Sequence, residues 1–247
     1  MKKIGIIGFG NMGQAIAEQI KSMYPIWVFD KDSNKTKNLS DINIARNVVD
    51  LLNEVDTVIL AVKPQDFDTV LDEMKGNVKD KLIVSIAAGI TTVYIEKRLG
   101  QTKVIRVMPN LPARIGKGMI CLCRGKFSTD DDDLNFSKQL FENLGKTLAL
   151  NEDMMDAATA VSGSGPAYVC EYLESKQKKQ AFLGNFQNAA EALGFNTEEA
   201  AFLVNTTFSG TVEFLKKTKL SPIELKKQVA SKGGTTETAL EVLHSDG

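Results

Sequence analysis

Over residues 1–150, short apolar runs alternate with stretches of helical periodicity. The apolar runs cover residues 4–7, 26–29, 55–62, 82–86 and 104–108. Near-continuous apolar runs of this length are typical of parallel strands that are covered on both faces. Between two of the runs, Phe67, Val70 and Met74 recur at the spacing of one helix face. Strands that alternate with helices predict a doubly wound, mostly parallel α/β sheet.

The remaining elements of this half have weaker patterns. Three further strands are expected, over residues 42–45, 119–123 and 147–150. A helix from about Asp130 to Leu144 separates the last two, behind Ser128 or Thr129 as its N-cap. Its leading aspartates, residues 130–133, lie at the positive end of the helix dipole, where negative charges stabilise the helix. A solvated helix start explains them better than a metal site, so no metal is expected.

The pattern changes near residue 151. From there the recurrent spacing is helical, with an apolar stripe formed by Ala201, Val204, Phe208, Val212 and Leu215. Shorter helices are expected over residues 220–229 and 238–244. We therefore predict a Rossmann-type α/β domain over residues 1–151 and an all-helical domain over residues 152–247. Ligands are expected at the carboxyl ends of the strands, where the two domains meet.

The strongest motif is the glycine-rich turn after the first apolar run. Gly8 permits a sharp turn off the strand, Gly10 permits close approach of a pyrophosphate, and Gly13 lets the next helix lie close to the sheet. That helix presents free N–H groups and a positive dipole end to the phosphates. The candidate cofactor loop is therefore Gly8, Phe9, Gly10, Asn11, Met12 and Gly13. With a second strand behind it, the turn predicts a dinucleotide site.

The choice of dinucleotide depends on the end of that second strand. Asp30 lies about twenty residues beyond the glycines, where an acid bonds the ribose 2′-hydroxyl and repels a 2′-phosphate. This favours NADH. The following residues, Lys31, Ser33, Asn34 and Lys35, carry groups that accommodate a phosphate. NADPH and NADH therefore both remain candidates.

Several other loops contain candidate chemistry. Three follow successive strands at one predicted edge of the sheet, namely Lys63-Pro64-Gln65, Ala87-Ala88-Gly89 and Met108-Pro109-Asn110. Their small or kinked residues suit a nicotinamide that lies flat beside that edge. In the helical half, residues 162–168 and 231–236 are small-residue turns before helices. The Gly-Gly pair of the second turn is a natural seat for a carboxylate.

Composition and charge exclude several classes of function. The chain is 43% hydrophobic and 25% charged, which is typical of globular proteins. A net charge of −1 gives no field that favours nucleic acid or an anionic membrane. No apolar run approaches the ~20 residues of a membrane span, and no signal peptide precedes the first strand. Cys121, Cys123 and Cys170 fit neither a disulfide framework nor a zinc site. We expect reduced thiols and a cytoplasmic protein.

Two residues that related dehydrogenases use are missing. The only histidine, His244, is at the extreme C-terminus, which argues against a His–Asp general-base pair. β-Hydroxyacid dehydrogenases place a lysine shortly after a glycine-rich helix start, but Gly165 is followed by Pro-Ala-Tyr-Val. Hydride transfer without a dedicated acid or base suits a substrate that already carries its proton, such as an iminium.

Six motifs along the chain resemble those of the pyrroline-5-carboxylate reductase family. They are GFGNMG at 8–13, AVKPQ at 61–65, SIAAG at 85–89, RVMPN at 106–110, AVSGSGPAY at 160–168 and SKGGTT at 231–236. The last two are highly specific, and the set spans most of the chain. The resemblance implies an NAD(P)H-dependent oxidoreductase that reduces the C=N bond of 1-pyrroline-5-carboxylate to L-proline, the last step of proline biosynthesis.

The resemblance also implies roles for individual residues. The substrate carboxylate would be held by Ser231, Gly233, Gly234 and Thr235. Thr236 would hydrogen-bond the ring nitrogen, and Thr236 and Lys63 are the candidate catalytic residues. The cofactor would also contact Ala61, Val62, Lys63, Pro64, Ala88, Gly89, Pro109 and Asn110. Family members are dimers through interlocked helical domains, often in rings of dimers. A homo-oligomer without nucleic-acid or membrane partners is therefore expected.

The chain departs from the family pattern at four places. Lys232 replaces the usual proline, and Leu111 replaces a common threonine. Between Tyr168 and Gly194 there are roughly ten more residues than expected, about three helical turns, which predicts a longer helix or a bulging loop. The sequence ends at residues 244–247, where relatives usually continue into another helix. Two other functions stay open: a β-hydroxyacid or prephenate-type dehydrogenase, and a nucleotide-binding regulator that has lost catalysis.

Overall fold

The structure is a computed structural model that describes residues 1–175, 178–230 and 234–245. The strands are β1 Ile4–Ile7, β2 Ile26–Phe29, β3 Asn43–Ile44, β4 Thr57–Leu60, β5 Leu82–Ser85, β6 Lys103–Pro109, β7 Gly118–Arg124 and β8 Gly145–Ala149. The α-helices are α1 Asn11–Ile20, α2 Val48–Glu54, α3 Phe67–Met74, α4 Thr92–Leu99, α5 Asp131–Glu142, α6 Met155–Ala158, α7 Gly165–Glu174, α8 Lys179–Ala192, α9 Thr197–Thr218, α10 Pro222–Val229 and α11 Thr235–Ser245. Short 3₁₀ turns cover Ser33–Lys35, Pro64–Asp66, Leu111–Ile115 and Glu152–Met154, and a π-helical turn covers Thr159–Gly163.

The eight strands form one sheet in the order β3-β2-β1-β4-β5-β6-β7-β8. Neighbouring strands are parallel, except for the antiparallel pair β6–β7. The link between these two strands, residues 110–117, is shorter than the crossover of about a dozen residues that a parallel pair requires. The predicted doubly wound, mostly parallel sheet is therefore confirmed. The strand order reverses beside β1, where ligands bind in folds of this kind.

Helices cover both faces of the sheet. On one face, Ile16 of α1 and Phe141 of α5 pack against the strands. On the other, Leu51 of α2, Leu71 of α3 and Ile95 of α4 form a second buried cluster. Strands β1, β4 and β5 are buried along their whole length, which explains why their sequences are almost continuously apolar.

The second half of the described chain is helical, as predicted, and contains no strand after Ala149. Its longest helix, α9, begins with a capping box in which Asn196 and Glu199 bond each other's backbone amides. Leu203 of α9 packs in one buried cluster with Cys121 and Cys123 of β7. The two cysteines therefore face the same side, as their spacing predicts, and the helical half docks against the β7 end of the sheet.

The expected N-cap of α5 is wrong. Asp130 occupies the N-cap position without a side-chain capping bond. Ser128 is unavailable because its hydroxyl is buried and donates to the carbonyl of Val104 at 3.1 Å. The acidic first turn is confirmed, since Asp131 and Asp133 lie within it, and Asp133 also pairs with Lys103 at 3.0 Å.

Three other element boundaries differ from expectation or settle an alternative. Strand β3 is two residues long, because residues 42 and 45 fall outside the pairing with β2. Helix α11 begins at Thr235, ahead of the expected start at residue 238. Around the inserted segment, α7 ends at Glu174 and α8 begins at Lys179, so the segment does not lengthen a single helix.

Each helix in the described part of the chain is too short or too polar to cross a membrane.

Candidate active site

The loops that carry the cofactor motifs open at one edge of the sheet. In the parallel register, Ile7 pairs with Leu60, Leu60 with Ser85, and Ser85 with Arg106. The residues that follow β1, β4 and β5 are therefore neighbours. β6 runs further along the same direction before it ends at Pro109. The shared edge that the sequence predicts is present.

The three loop glycines occupy positions where a side chain would change the site. Gly8 has φ +96°, and a Cβ there would lie 2.7 Å from the backbone of Ala61. A Cβ on Gly13 would lie 2.2 Å from the carbonyl oxygen of Gly8, so this glycine is what allows α1 to approach the loop. A Cβ on Gly10 would meet nothing within 4 Å. The space beside Gly10, at the N-terminus of α1, is where an anion can approach the helix amides.

The other loop residues contribute mainly backbone. Phe9 is buried in the core of the sheet, its carbonyl accepts a bond from Gln14 Nε2 at 3.0 Å, and its N–H donates to Asp30 Oδ2 at 2.7 Å. Asn11 is exposed and Met12 is half-buried. The side chain of Phe9 therefore faces away from the open edge, while Asn11 remains accessible from solvent.

Asp30 is bound more tightly to the protein than sequence reasoning expected. Besides the amide of Phe9, its carboxylate accepts the N–H of Asp32 at 2.8 Å and lies 3.1 Å from Lys35 Nζ. Its side chain is 6% exposed. Burial alone would raise the pKa of Asp30, but the two amides and the Lys35 ammonium hold that pKa below its usual value. Asp30 thus ties the glycine loop to the turn that carries Ser33 and Lys35. Its predicted contact with the ribose stays a prediction.

The three remaining strand-end loops differ in exposure. Lys63, Pro64, Ala88 and Gly89 are exposed, Ala61 and Val62 are half-buried, and Pro109 and Asn110 are buried. Asn110 Nδ2 donates to the carbonyl of Ser162 at 3.1 Å, and its Oδ1 accepts the N–H of Met119 at 2.9 Å. Its side chain therefore joins β6 to β7 and to the helical half, a role that sequence reasoning missed.

An ion-pair network around a buried arginine near this edge was also missed. Arg106 of β6 is 2% exposed and donates to Glu152 at 2.8 Å and to Asp156 at 3.0 Å. Glu152 also accepts bonds from the amide and hydroxyl of Thr92. Burial favours a lower pKa for Arg106, but the carboxylates of Glu152 and Asp156 outweigh this effect and raise the pKa above its usual value. A charged residue inside the apolar run 104–108 was the signal that could have found this connection between the two halves.

In the helical half, the structure brings two of the sequence motifs together. Thr236 Oγ1 donates to Ser164 Oγ at 2.8 Å, across 72 positions of the chain. Both side chains are buried, with exposures of 6% and 2%. Since Asn110 binds the carbonyl of Ser162, hydrogen bonds connect the end of β6 to residues 162–164 and these to the start of α11. Gly234 and Thr235 adjoin Thr236, whereas Ser231, Lys232 and Gly233 lie outside the described residues.

Two models of protein families match the chain. Residues 152–247 match the model described as pyrroline-5-carboxylate reductase dimerisation. Residues 3–89 match the model described as NADP oxidoreductase, coenzyme F420-dependent. A Bacillus subtilis (strain 168) protein named pyrroline-5-carboxylate reductase 2 is 32% identical over an alignment of 255 positions. The alignment covers 98% of this chain and 87% of that protein. The chain belongs to the pyrroline-5-carboxylate reductase family.

Solved structures of pyrroline-5-carboxylate reductases agree with this membership. The enzyme from Coxiella burnetii matches with a TM-score of 0.66 at 31% identity, covering 99% of this chain and 91% of that one. A Plasmodium falciparum pyrroline carboxylate reductase with NADP bound matches with a TM-score of 0.64 at 29% identity, covering 99% of this chain and 90% of that one. The similarity therefore extends over both halves of the molecule.

The site of this family member fits a nicotinamide dinucleotide. A Cβ on Gly10 would enter the open space beside the N-terminus of α1, and the close backbone contacts at Gly8 and Gly13 hold that helix against the glycine loop. Burial raises the pKa of Cys121, Cys123 and Cys170 to about 12, which favours the protonated thiol over the nucleophilic thiolate. Within the described residues, no cluster of three or more His, Cys, Asp or Glu side chains could hold a metal ion.

Proposed function

We propose that this protein reduces 1-pyrroline-5-carboxylate to L-proline with NAD(P)H, as the last step of proline biosynthesis. The observation that carries the proposal is the buried hydrogen bond between Thr236 and Ser164. It joins the two most specific motifs of the family. Asn110 connects them to the sheet edge at which the nicotinamide is expected. The substrate class, a cyclic imine with one carboxylate, follows from the relatives to which this chain is similar.

The protein's own residues have three tasks in this reaction. Gly8, Gly10 and Gly13 admit the pyrophosphate to the amides at the start of α1. The turn before α11, with Ser231, Gly233, Gly234 and Thr235, would hold the substrate carboxylate on backbone N–H groups. Thr236 would bind the ring nitrogen. When bound, NAD(P)H supplies the hydride that reduces the imine carbon.

Catalysis in this scheme is mainly positioning. The exposed strand-end residues Lys63, Pro64, Ala88 and Gly89, with Ala61, Val62, Pro109 and Asn110, would line the nicotinamide. No general base is required, because an iminium brings its own proton and keeps it in the amine product. Holding the two reactants in an aligned geometry can account for a large part of the rate. The role of Lys63 stays a prediction, since its side chain is exposed.

We further propose a domain boundary at residues 151/152 and a cytoplasmic location. The last strand ends at Ala149, and the match to the dimerisation model begins at residue 152. That match also supports assembly as a homo-oligomer, a dimer or a ring of dimers.

The first test is oxidation of NADH and of NADPH by the purified full chain, with and without pyrroline-5-carboxylate. Substrate-dependent oxidation is expected with at least one cofactor. Thr236→Ala should lower kcat/KM by roughly a hundredfold, as expected for loss of a buried hydrogen bond to a charged group, and should leave cofactor affinity unchanged in a fluorescence titration. A variant with normal turnover would refute the role of this hydroxyl. No oxidation by a wild-type chain that binds cofactor would refute the reaction.

A further inference from the structure

The hydroxyl of Ser164 is committed to the active site and not to its own helix. Ser164 stands directly before α7, but its side chain makes no capping hydrogen bond. Its backbone is already helical, with φ −82° and ψ −21°, whereas a capping serine is extended. By contrast, Ser221 accepts the N3 amide of its own helix. The hydroxyl of Ser164 instead accepts the proton of Thr236 at 2.8 Å.

The space around Ser164 leaves its side chain little freedom. Ser164 is 2% exposed. A Cβ on the neighbouring Gly165 would lie 2.7 Å from Thr207, and one on Gly163 would lie 3.0 Å from Met108. Close packing on both sides fixes the backbone of this turn. The position from which Ser164 reaches Thr236 is therefore set by the fold.

We propose that Ser164 is a positioning residue that holds the Thr236 hydroxyl with its proton directed away from the ligand. A hydroxyl whose proton is committed presents only lone pairs. The Thr236 oxygen would then accept the N–H of the iminium substrate and of the amine product. This inference rests on the proposed function, and it assigns the preference for a protonated ring nitrogen to a residue that does not touch the substrate.

The test compares two ligands that differ only at the ring nitrogen. L-proline has a donor N–H, and cyclopentanecarboxylate has the same carboxylate and ring size with carbon in its place. Calorimetric titration of the full chain gives both dissociation constants. Ser164→Ala should weaken L-proline by about tenfold relative to cyclopentanecarboxylate, the effect of one hydrogen bond to a charged group.

A matched control separates positioning from general loss of packing. Ser137→Ala also removes a buried serine hydroxyl, one that donates to the Asp133 carbonyl within α5, and should leave the ratio unchanged. In a Thr236→Ala background, Ser164→Ala should have no further effect on the ratio, because the two residues act as one unit. If Ser164→Ala fails to fold, Ser164→Cys, which keeps a side chain at this position with only a weak hydrogen-bond acceptor, should change the ratio in the same direction.

Several outcomes would overturn the inference. Equal weakening of both ligands would mean that Ser164 is only structural, and an unchanged ratio would mean that Thr236 needs no partner. Wild-type turnover is measured alongside. If the wild type turns over substrate but the variants leave the ratio of the two dissociation constants unchanged, only the role of Ser164 is refuted. Absence of turnover in the wild type refutes the proposed reaction, and this inference with it.

Discussion

At the scale of single residues, Asp30 combines an observed structural role with a predicted role in cofactor choice. A carboxylate at the end of the second strand favours NADH because it repels a 2′-phosphate. In the structure the same carboxylate holds the Phe9 amide at 2.7 Å and lies 3.1 Å from the Lys35 ammonium. Lys35 is thus both the partner of Asp30 and a candidate cation for a 2′-phosphate. We therefore expect cofactor choice to depend on this pair.

Asp30→Asn should raise the affinity for NADPH relative to NADH by roughly tenfold, because it removes one negative charge and frees Lys35. An asparagine oxygen can still accept the Phe9 N–H, so the glycine loop is retained. Lys35→Gln is the matched change of opposite sign and should lower the ratio. Fluorescence titration with both cofactors measures it. An unchanged ratio in both variants would assign cofactor choice elsewhere.

At the scale of elements, Gly10 and Gly13 of the β1–α1 turn are required for different reasons. Gly13→Ala should destabilise the fold by about 2 kcal/mol, since its Cβ would lie 2.2 Å from a backbone oxygen. Gly10→Ala should fold normally, because nothing lies within 4 Å, but should lose cofactor affinity as the methyl occupies the phosphate cradle. Urea unfolding and cofactor titration measure the two effects. Normal cofactor binding by Gly10→Ala would place the phosphates elsewhere.

The connection between β6 and the start of the helical half depends on Arg106. Arg106→Met should cost about 2 kcal/mol in the free energy of unfolding, because it removes the charged hydrogen bond between the buried guanidinium and the half-buried carboxylate of Glu152. Arg98→Met is the matched control. Arg98 also pairs with two aspartates, but at the surface, where such pairs contribute about 1 kcal/mol or less. Equal losses in urea unfolding would contradict the distinction.

At the scale of the whole molecule, apolar side chains remain exposed on the helical half. Leu173, Leu193 and Phe202 are each more than one-third exposed. In a family with a dimerisation domain, such residues are expected to be covered by a second copy of the chain. Sizing by light scattering should give at least twice the 27.0 kDa mass of the chain.

The double variant Leu173→Glu/Phe202→Glu should weaken this assembly by introducing charges into an apolar contact. Val93→Glu, an exposed position on α4 of the other half, should leave the assembly unchanged. A wild-type protein that is monomeric at assay concentration would contradict the expected homo-oligomer. Unchanged assembly in the double variant would place the contact on another part of the helical half.

The sequence by itself determined the alternation of strands and helices, the glycine turn and the membership of the family. These properties depend on local periodicity and on short motifs, which the chain expresses directly. Only the tertiary structure decided the antiparallel β6–β7 pair, the Asp30–Phe9 bond, the Arg106 ion pairs and the contact of Thr236 with Ser164. The last three join groups distant in sequence, and their meeting depends on how the elements pack, which no local pattern encodes.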